Sequence, residues 1–374
     1  MNKYFATVAR GLETIAAQEL ETLGAKNVNP DFTGVHFTGD QELLYKVNLW
    51  GRTFFRVLMV IGEIKAHNAE QLYQSTQNIH WDEFIEPNNT IAVKCTGKNN
   101  NLNHTHFTAL QIKNAIVDQQ QSQTGERSNI DVENPDLLIN AHIRENLCIL
   151  SLDSSGYSLH KRGYRPAMGL APLKETLAAA LLKMAEWEPS LAFCDPLCGS
   201  GILPIEATLI GLNIAPGLFS QSLGFERWRD FDQGLWESLL QEATNSELSA
   251  LKAPISGSDS DPEIIQQARY NAKACGVEHQ VKFACRELAE IEAPADSGVI
   301  ICNPPYGIRL GDVQELAALY KLLGDVFKQR FKGWNAYVLT GNKELAKKVG
   351  LRASRRIPVY NGTLPCTLLK YELY

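Results

Sequence analysis

The chain has 374 residues, of which 44% are hydrophobic and 21% charged, and its net charge at pH 7 is −6. Its length predicts two or three domains, and the absence of an apolar run of about 18 residues argues against a membrane-spanning helix. None of the eight cysteines forms a CxxC pair, so we expect neither a zinc site nor a disulfide framework, and a reducing cytoplasm as the location.

The first 160 residues mix strand and helix patterns and contain no glycine-rich phosphate loop. Helical spacing predicts helices after residue 11, at 70–77 and at 107–120, and the polar tract 119–129 predicts an exposed loop. This half of the chain is therefore expected to be an α+β region. Its predicted strands are 4–10, 34–38, 54–61, 91–95, 137–143 and 147–152.

Beyond about residue 170, predicted strands alternate with predicted helices, and residues 213–250 form an insertion with amphipathic helices. Such alternation predicts a doubly wound parallel sheet, in which ligands bind at the carboxyl ends of the strands. Three strings follow predicted strands at such ends: DPLCGSG, SDSD and NPPYG.

The first string runs from Asp195 through Cys198, Gly199 and Ser200 to Gly201. Its glycines would let the backbone approach a ligand, and the following helix supplies free N–H groups. Asp195 could meet a cationic amine directly or through water. The string matches neither of the two phosphate-binding motifs, G-x-x-x-x-G-K-[ST] and G-x-G-x-x-G. Taken alone, the segment also fits a plain strand–turn–helix connection, with Cys198 as a packing residue rather than a nucleophile.

The second string offers acidic residues after the next strand. Asp259 is the candidate for the two hydroxyls of a ribose, since a carboxylate can accept both protons. Asp261 precedes Pro262, which favours a helix cap with proline at the first helical position. Glu287 follows the third strand, where an acidic residue could contact an adenine.

The third string is Asn303-Pro304-Pro305-Tyr306-Gly307. An exocyclic amine is a poor nucleophile because its lone pair is delocalised into the ring. The side-chain oxygen of Asn303 and the backbone carbonyl of Pro304 could each accept one N–H and direct the lone pair at a methyl donor. Two prolines stiffen the loop, and Tyr306 offers a face on which a flipped base can stack.

Three further groups of candidate functional residues each allow a functional and a structural interpretation. His104 and His106 form an HxH pair, but no third metal ligand is apparent, so a structural role is favoured. The cluster 161–165 (KRGYR) could touch RNA or cofactor, or serve as a linker. Lys174 and Glu175 could approach the methionine moiety or form a surface ion pair.

A basic stretch lies near the end of the chain. Only Asp325 and Glu344 oppose its positive charges, so it predicts either a phosphate-binding face or a solvated helix face. Its members are Lys321, Lys328, Arg330, Lys332, Lys343, Lys347, Lys348, Arg352, Arg355 and Arg356.

These strings together resemble a known family. DPLCGSG, GSDSD and NPPYG are similar to motifs I, II and IV of class I amino-methyltransferases. The string HKRGYRPAMGLAPLKETLAAALL, followed by DPLCGSGILPIEA and NPPYGIRL, resembles THUMP-domain-containing RNA methyltransferases of the bacterial type that makes N2-methylguanosine in 23S rRNA. Such proteins are often labelled N6-adenine-specific DNA methylases. ATVARGLETIAAQELETLGA and HTHFTALQIKNAIVDQ extend the resemblance over the N-terminal half.

The resemblance implies an α/β Rossmann-like class I methyltransferase domain at 166–374, preceded by an α+β region with a ferredoxin-like segment at 1–60 and a THUMP RNA-binding domain at 61–160. It implies S-adenosylmethionine as cofactor, S-adenosylhomocysteine as product, no metal, and 23S rRNA or a large-subunit precursor as partner. No membrane or obligate protein partner is evident. The implied residue roles divide between catalysis by Asn303, Pro304 and Tyr306, and cofactor binding by Asp195, Cys198, Gly199, Ser200, Gly201, Asp259, Glu287 and Asn303.

Glu287 departs from the family pattern, which usually has aspartate at the adenine side. The leading hypothesis is methyl transfer to the guanine N2 amine. The alternative is adenine-N6 methylation of DNA or RNA, since the same acceptors suit that amine. A non-catalytic RNA-binding assembly factor is a third class, against which the intact NPPY string argues.

Overall fold

The computed structural model describes residues 1–164, 173–220, 222–307 and 313–374. Two sheets organise these residues, one on each side of residue 165. The strands are β1 (Asn2–Val8), β2 (Lys26–Asp31), β3 (Gly34–Gly39), β4 (Phe54–Lys65), β5 (Thr90–Lys98), β6 (Asn129–Ile130), β7 (Leu137–Arg144), β8 (Leu147–Asp153), β9 (Ala192–Asp195), β10 (Ile255–Asp259), β11 (Val281–Cys285), β12 (Gly298–Cys302), β13 (Asn335–Thr340), β14 (Arg355–Asn361) and β15 (Leu364–Glu372). The α-helices are α1 (Glu13–Thr22), α2 (Gln41–Trp50), α3 (Ala69–Gln77), α4 (Thr105–Thr124), α5 (Glu175–Met184), α6 (Ile202–Gly211), α7 (Gln233–Asn245), α8 (Pro262–Ala274), α9 (Val313–Arg330) and α10 (Lys343–Lys348).

The N-terminal sheet has the strand order β2-β3-β1-β4-β8-β7-β5-β6. The long strand β4 pairs with β1 on one side and with β8 on the other, so one continuous sheet carries the whole N-terminal half. Helices α3 and α4 pack on this sheet through buried residues such as Leu72, Ile112 and Ile116.

The predicted exposed loop at 119–129 is wrong for its first part, because α4 continues to Thr124. Gln119 and Gln120 are buried there. The amide of Gln119 donates to the carbonyl oxygen of Ile79 at 2.8 Å, and that of Gln120 donates to Ser128 at 3.0 Å. Buried hydrogen bonds hold this turn of the helix, and a polar composition does not reveal them.

The C-terminal sheet has the strand order β11-β10-β9-β12-β13-β15-β14. Its strands from β9 to β13 are parallel, as predicted, but β15 pairs antiparallel with β13 and with β14. The sheet is therefore mixed. The hairpin that adds β14 and β15 turns between Asn361 and Leu364, with Gly362 at φ +63°.

The insertion at 213–250 packs against α2 of the N-terminal half. The rings of Tyr45 and Phe225 stack with centroids 4.3 Å apart, and the Tyr45 hydroxyl accepts from the backbone N–H of Asp232 at 2.9 Å. A Cβ at Gly217 would lie 2.6 Å from the backbone of Leu49, so glycine permits the close approach. The insertion therefore packs the C-terminal half of the chain against the N-terminal half.

Candidate active site

Three neighbouring strands bring the three strings to one edge of the C-terminal sheet. Strand β9 lies between β10 and β12 and runs parallel to both. Asp195 ends β9, Asp259 ends β10, and Asn303 follows β12 directly. Because carboxyl ends of parallel strands meet at one edge, these side chains share one crevice.

The glycines of the first loop have different structural reasons. Gly199 and Gly201 both have positive φ, +52° and +85°. A Cβ at Gly201 would lie 2.8 Å from the Phe283 ring and 3.0 Å from Ala268, so this glycine is required for packing. A Cβ at Gly199 would meet no atom within 4 Å, so this glycine faces open space.

Hydrogen bonds join the first loop to the second. The backbone N–H of Gly199 donates to Asp259 Oδ2 at 3.1 Å, while Asp259 Oδ1 accepts from the N–H of Asp261 at 3.1 Å. Each carboxylate oxygen can accept two bonds, so Asp259 retains acceptor capacity for a ligand. Asp261 caps α8 by accepting from Glu263 N–H at 2.8 Å, with Pro262 in the first turn, as predicted.

Asp195 is a buried acidic residue of the site with a raised pKa. Its side chain is only 2% exposed, and its Oδ1 accepts one bond, from the Leu197 N–H at 3.1 Å. Burial raises the pKa of Asp195 well above its usual value, and the nearby carboxylate of Asp259 raises it further. Among the described residues no cationic side chain pairs with it. A desolvated carboxylate beside an open glycine loop suits a cationic ligand group.

The remaining predicted cofactor residues surround this loop. Burial raises the pKa of the Cys198 thiol well above its usual value, which fits a packing residue and not a thiolate nucleophile. The carbonyl oxygen of Ser200 accepts from the side-chain amide of Asn271 at 3.0 Å. Glu287 is exposed just after β11, where the neighbouring Arg286 N–H donates to the Asp259 carbonyl oxygen at 3.0 Å.

The Asn-Pro-Pro-Tyr loop is held by residues from outside the motif. Asn342, which also caps α10, donates from its side-chain amide to the carbonyl oxygen of Tyr306 at 3.2 Å. The Tyr320 hydroxyl donates to the carbonyl oxygen of Pro305 at 3.3 Å. Sequence reasoning missed both supports. Only Asn342 carried a signal, as a polar residue at the predicted start of a helix.

Tyr306 is half-buried and its side chain is directed at Asn303. Its hydroxyl donates to the side-chain oxygen of Asn303, and its ring approaches Gly341. Burial raises the pKa of Tyr306, and contact with Cys366 raises it further. In this arrangement the phenol uses one of the two lone pairs of the acceptor that was predicted to receive the amine.

Two of the weaker candidates, His104 and Lys174, each make a contact within the protein. His104 caps α4, its Nδ1 accepting from the Phe107 N–H at 3.2 Å. The Lys174 ammonium lies 4.8 Å from the centroid of the Phe55 ring, and Glu175 is buried, so the two do not form a surface ion pair.

In the cluster 161–165, Lys161 is exposed, Arg162 and Tyr164 are buried, and Arg165 lies outside the described residues. Arg162 and Tyr164 are 3% and 2% exposed. Arg162 pairs with the fully buried Glu206 of α6 at 3.3 Å, and the Tyr164 hydroxyl donates to the same carboxylate at 2.5 Å. Arg162 and Tyr164 therefore anchor the segment to the helix that follows the glycine loop.

The basic stretch is exposed throughout. Besides Asp325 and Glu344, two acids from other parts of the chain reach it: Glu292 approaches Arg330 at 3.9 Å, and Glu186 pairs with Arg355 at 3.2 Å. Lys321, Lys332, Lys343, Lys348, Arg352 and Arg356 have no ion pair within the described ranges.

Within the four described segments, no group of three metal-ligating side chains comes together. Nor does any helix in those segments have both the length and the hydrophobicity to cross a bilayer.

Three family models match the chain. Residues 3–58 match an RlmL ferredoxin-like domain, residues 66–153 a THUMP domain, and residues 162–370 an RMKL-like methyltransferase domain. Together with the two sheets, these matches confirm the predicted order, in which an α+β ferredoxin-like and THUMP region precedes a Rossmann-like methyltransferase domain.

Similar proteins agree with this order. A candidate RNA methyltransferase of Synechocystis, slr0064, is 58% identical over 99% of this chain and 97% of its own. The ribosomal RNA large subunit methyltransferase K/L of Syntrophotalea carbinolica is 42% identical over 99% of this chain, but the match spans 53% of that protein, about half its length. The structure of the methyltransferase candidate SMU.472 complexed with SAH has a TM-score of 0.90 and 31% identity, covering 100% of this chain and 98% of the other. The chain therefore belongs to the RMKL-like methyltransferase family, with ferredoxin-like and THUMP domains ahead of its methyltransferase domain.

Proposed function

We propose that this protein transfers a methyl group from S-adenosylmethionine to the exocyclic N2 amine of a guanosine in 23S rRNA or in its large-subunit precursor, in the cytoplasm. The observation that carries the proposal is the convergence of Asp195, Asp259 and Asn303 at one sheet edge, with Gly199 hydrogen-bonded to Asp259.

The cofactor assignment is supported by the chemistry of the donor set. The buried Asp195 carboxylate would meet the cationic end of S-adenosylmethionine, directly or through water. The open loop at Gly199 leaves room for the methionine moiety, and Asp259 has acceptor capacity for the ribose hydroxyls. Cys198, Ser200 and Gly201 complete the loop, and Glu287 lies where an adenine amine or ribose could be contacted.

The bound cofactor would supply an electrophilic sulfonium methyl group whose sulfur leaves as a neutral thioether. Asn303 Oδ1 and the Pro304 carbonyl would accept the two N–H groups of the amine and aim its lone pair at that methyl. Tyr306 would turn from Asn303 and stack on the flipped base. Proximity and orientation then provide most of the rate, and the amine loses its proton after transfer.

The N-terminal half would bind the RNA. We assign residues 1–60 to the ferredoxin-like segment, 61–160 to the THUMP domain and 166–374 to the catalytic domain, the start of which lies outside the described residues. The names of the K/L relatives support ribosomal RNA as the substrate. The buried contacts of the insertion with α2 would hold the RNA-binding half in a constant position relative to the amine site.

Mass spectrometry of nucleosides tests the proposal directly. 23S rRNA from cells that lack the protein should lose one N2-methylguanosine, and an Asn303→Ala variant should fail to restore it. Purified protein with isotopically labelled S-adenosylmethionine should place the label on guanosine of that RNA. An unchanged level of N2-methylguanosine in the deletion strain would refute the guanine assignment.

Adenine-N6 methylation of DNA or RNA is the second candidate, because the same two acceptors in the Asn-Pro-Pro-Tyr loop suit an adenine amine. Label recovered as N6-methyladenosine or N6-methyldeoxyadenosine would establish it. If calorimetry detected no binding of S-adenosylhomocysteine, the protein would instead be a non-catalytic RNA-binding factor.

A further inference from the structure

An arginine lies between two aromatic rings at the surface where the N-terminal half meets the catalytic domain. The Arg10 guanidinium carbon lies 4.6 Å from the centroid of the Tyr360 ring and 5.8 Å from that of Phe32. Arg10 and Phe32 belong to the ferredoxin-like segment, and Tyr360 belongs to β14. We call these three residues the aromatic–arginine cluster.

Hydrogen bonds from backbone N–H groups to one side chain join the two turns of the cluster. Glu13 accepts from the Gly11 N–H at 2.8 Å and from the Thr33 N–H at 3.2 Å, so one carboxylate joins the turns that carry Arg10 and Phe32. A Cβ built at Gly11, where φ is +88°, would lie 3.6–3.8 Å from the Pro358–Tyr360 segment of β14, so the turn lies beside that strand with space for about one further carbon atom.

The cluster is open to a ligand. The Phe32 side chain is 70% exposed, although an aromatic ring of this size is usually covered. The neighbouring Asp31 is engaged by Arg144 at 3.3 Å and His36 at 3.5 Å. Arg10 forms no ion pair with any described residue, so its charge remains available.

The cluster also adjoins the proposed amine site. Tyr360 precedes Asn361, whose side chain lies close to that of Tyr306. Strand β14 pairs with β15 so that Val359 faces Cys366, which contacts Tyr306 as well. A chain of adjacent residues therefore leads from the exposed ring of Phe32 to the tyrosine of the Asn-Pro-Pro-Tyr loop.

We propose that Arg10, Phe32 and Tyr360 bind one unpaired nucleotide of the RNA beside the methylated base, and this rests on the proposed function. Its base would stack on Phe32, and Arg10 would contact the adjoining phosphate while stacked on Tyr360. A nucleotide combines a flat base with a neighbouring anionic phosphate. This surface matches that combination, because charged and polar groups such as Asp31, Arg144 and Thr33 surround the exposed ring of Phe32. Nucleotides next to a flipped base are unstacked and so present such a face.

Binding of a fluorescein-labelled oligoadenylate 12-mer to the full chain, measured by anisotropy, provides the first test. Phe32→Ala should weaken binding about tenfold, Phe32→Trp should restore it, and Arg10→Ala should also lower the slope of log K against log salt by about 0.7. The matched control is Tyr270→Ala, which removes an aromatic ring that is 58% exposed on α8, near the opposite edge of the sheet. It should bind as the wild type does.

Methylation kinetics on 23S rRNA transcripts provide the second test. Phe32→Ala should raise the KM for RNA about tenfold while kcat and the affinity for S-adenosylhomocysteine stay within twofold. Wild-type affinity for oligoadenylate in Phe32→Ala, or no measurable binding by the wild type, overturns the nucleotide site. If the wild type binds oligoadenylate through Phe32 but methylates no rRNA, the proposed rRNA activity fails while the stacking site is upheld.

Discussion

The Tyr306 hydroxyl donates a hydrogen bond to the side-chain oxygen of Asn303, the atom that we propose accepts a proton of the target amine. The amide oxygen has two lone pairs, so the phenol competes with the amine for this acceptor without blocking it. Tyr306→Phe removes the competing donor and keeps the ring, so we expect kcat/KM for RNA to stay within about threefold of the wild type or to rise. Tyr306→Ala loses the stacking face and should lower kcat/KM about 10²-fold. Equal losses in both variants would show that the hydroxyl itself takes part in catalysis.

Replacement of Asn303 separates amine positioning from cofactor binding. Asn303→Ala should lower kcat by at least about 10²-fold, because the amine loses the acceptor that orients its lone pair. Calorimetry should show an S-adenosylhomocysteine affinity within about threefold of the wild type. Asn303→Asp keeps an acceptor at this position and should retain more activity than the alanine variant. Unchanged turnover in Asn303→Ala would exclude it as the positioning residue.

The features of this site that depend on local chemistry can be predicted from the sequence. The features that depend on tertiary contacts cannot. The cap formed by Asp261 depends only on its place before a proline and a helix. By contrast, the ion pair between Arg162 and Glu206 joins segments that are distant in sequence, and no sequence spacing predicts it. The alternation of strands and helices predicts a fully parallel sheet and so does not reveal the β14–β15 hairpin, although Asn361-Gly362 is a turn signal.

The sequence does not predict the side-chain contacts of the site either. The string NPPYG predicts a loop that presents an amide and an aromatic ring, but not the rotamer that directs Tyr306 onto Asn303. Likewise, two glycines in the first loop look equivalent in the sequence. Only the structure distinguishes Gly201, which packs on Phe283, from Gly199, which faces open space.

Asp195 should make stability depend on pH in a direction opposite to that of most carboxylates. Burial raises its pKa in the folded state, so the folded protein binds this proton more tightly than the unfolded chain does. Stability is therefore lost as pH rises above the unfolded value of about 3.9 toward the raised folded pKa. Asp195→Asn should match the wild type near pH 4 and melt at a higher temperature than the wild type at neutral pH without ligand.

The same variant should lose affinity for S-adenosylmethionine, because the uncharged amide no longer attracts the cationic group. Thermal melting with and without S-adenosylhomocysteine, from pH 4 to 8, measures both effects. Asp261→Asn is the control, since asparagine caps a helix about as well as aspartate and should leave the pH profile unchanged. A neutral-pH melting temperature of Asp195→Asn below that of the wild type would contradict the argument.

Gly199→Ala should affect ligand binding beyond its cost in stability. Gly199 and Gly276 both have positive φ and no atom within 4 Å of a built Cβ, so alanine costs about 1–2 kcal/mol of backbone strain at either position. Only Gly199 lies in the proposed cofactor loop. Gly199→Ala should raise the Kd for S-adenosylhomocysteine at least about tenfold, whereas Gly276→Ala should leave it unchanged at equal stability. Equal Kd values for the two variants would remove Gly199 from the cofactor site.

The basic stretch offers a prediction about RNA affinity. Lys343 begins α10 directly after Asn342, whose side chain holds the Asn-Pro-Pro-Tyr loop, and no described acid pairs with it. Reversal of this charge in Lys343→Glu should weaken 23S rRNA binding and lower the slope of log K against log salt by about 0.7–0.9, because one phosphate contact is lost. Lys282→Glu reverses an exposed charge on β11, at the far edge of the sheet, and should change neither quantity. Filter binding between about 50 and 200 mM salt measures the slope. If both variants keep the wild-type slope, this part of the stretch is a solvated helix face and the RNA lies elsewhere on the molecule.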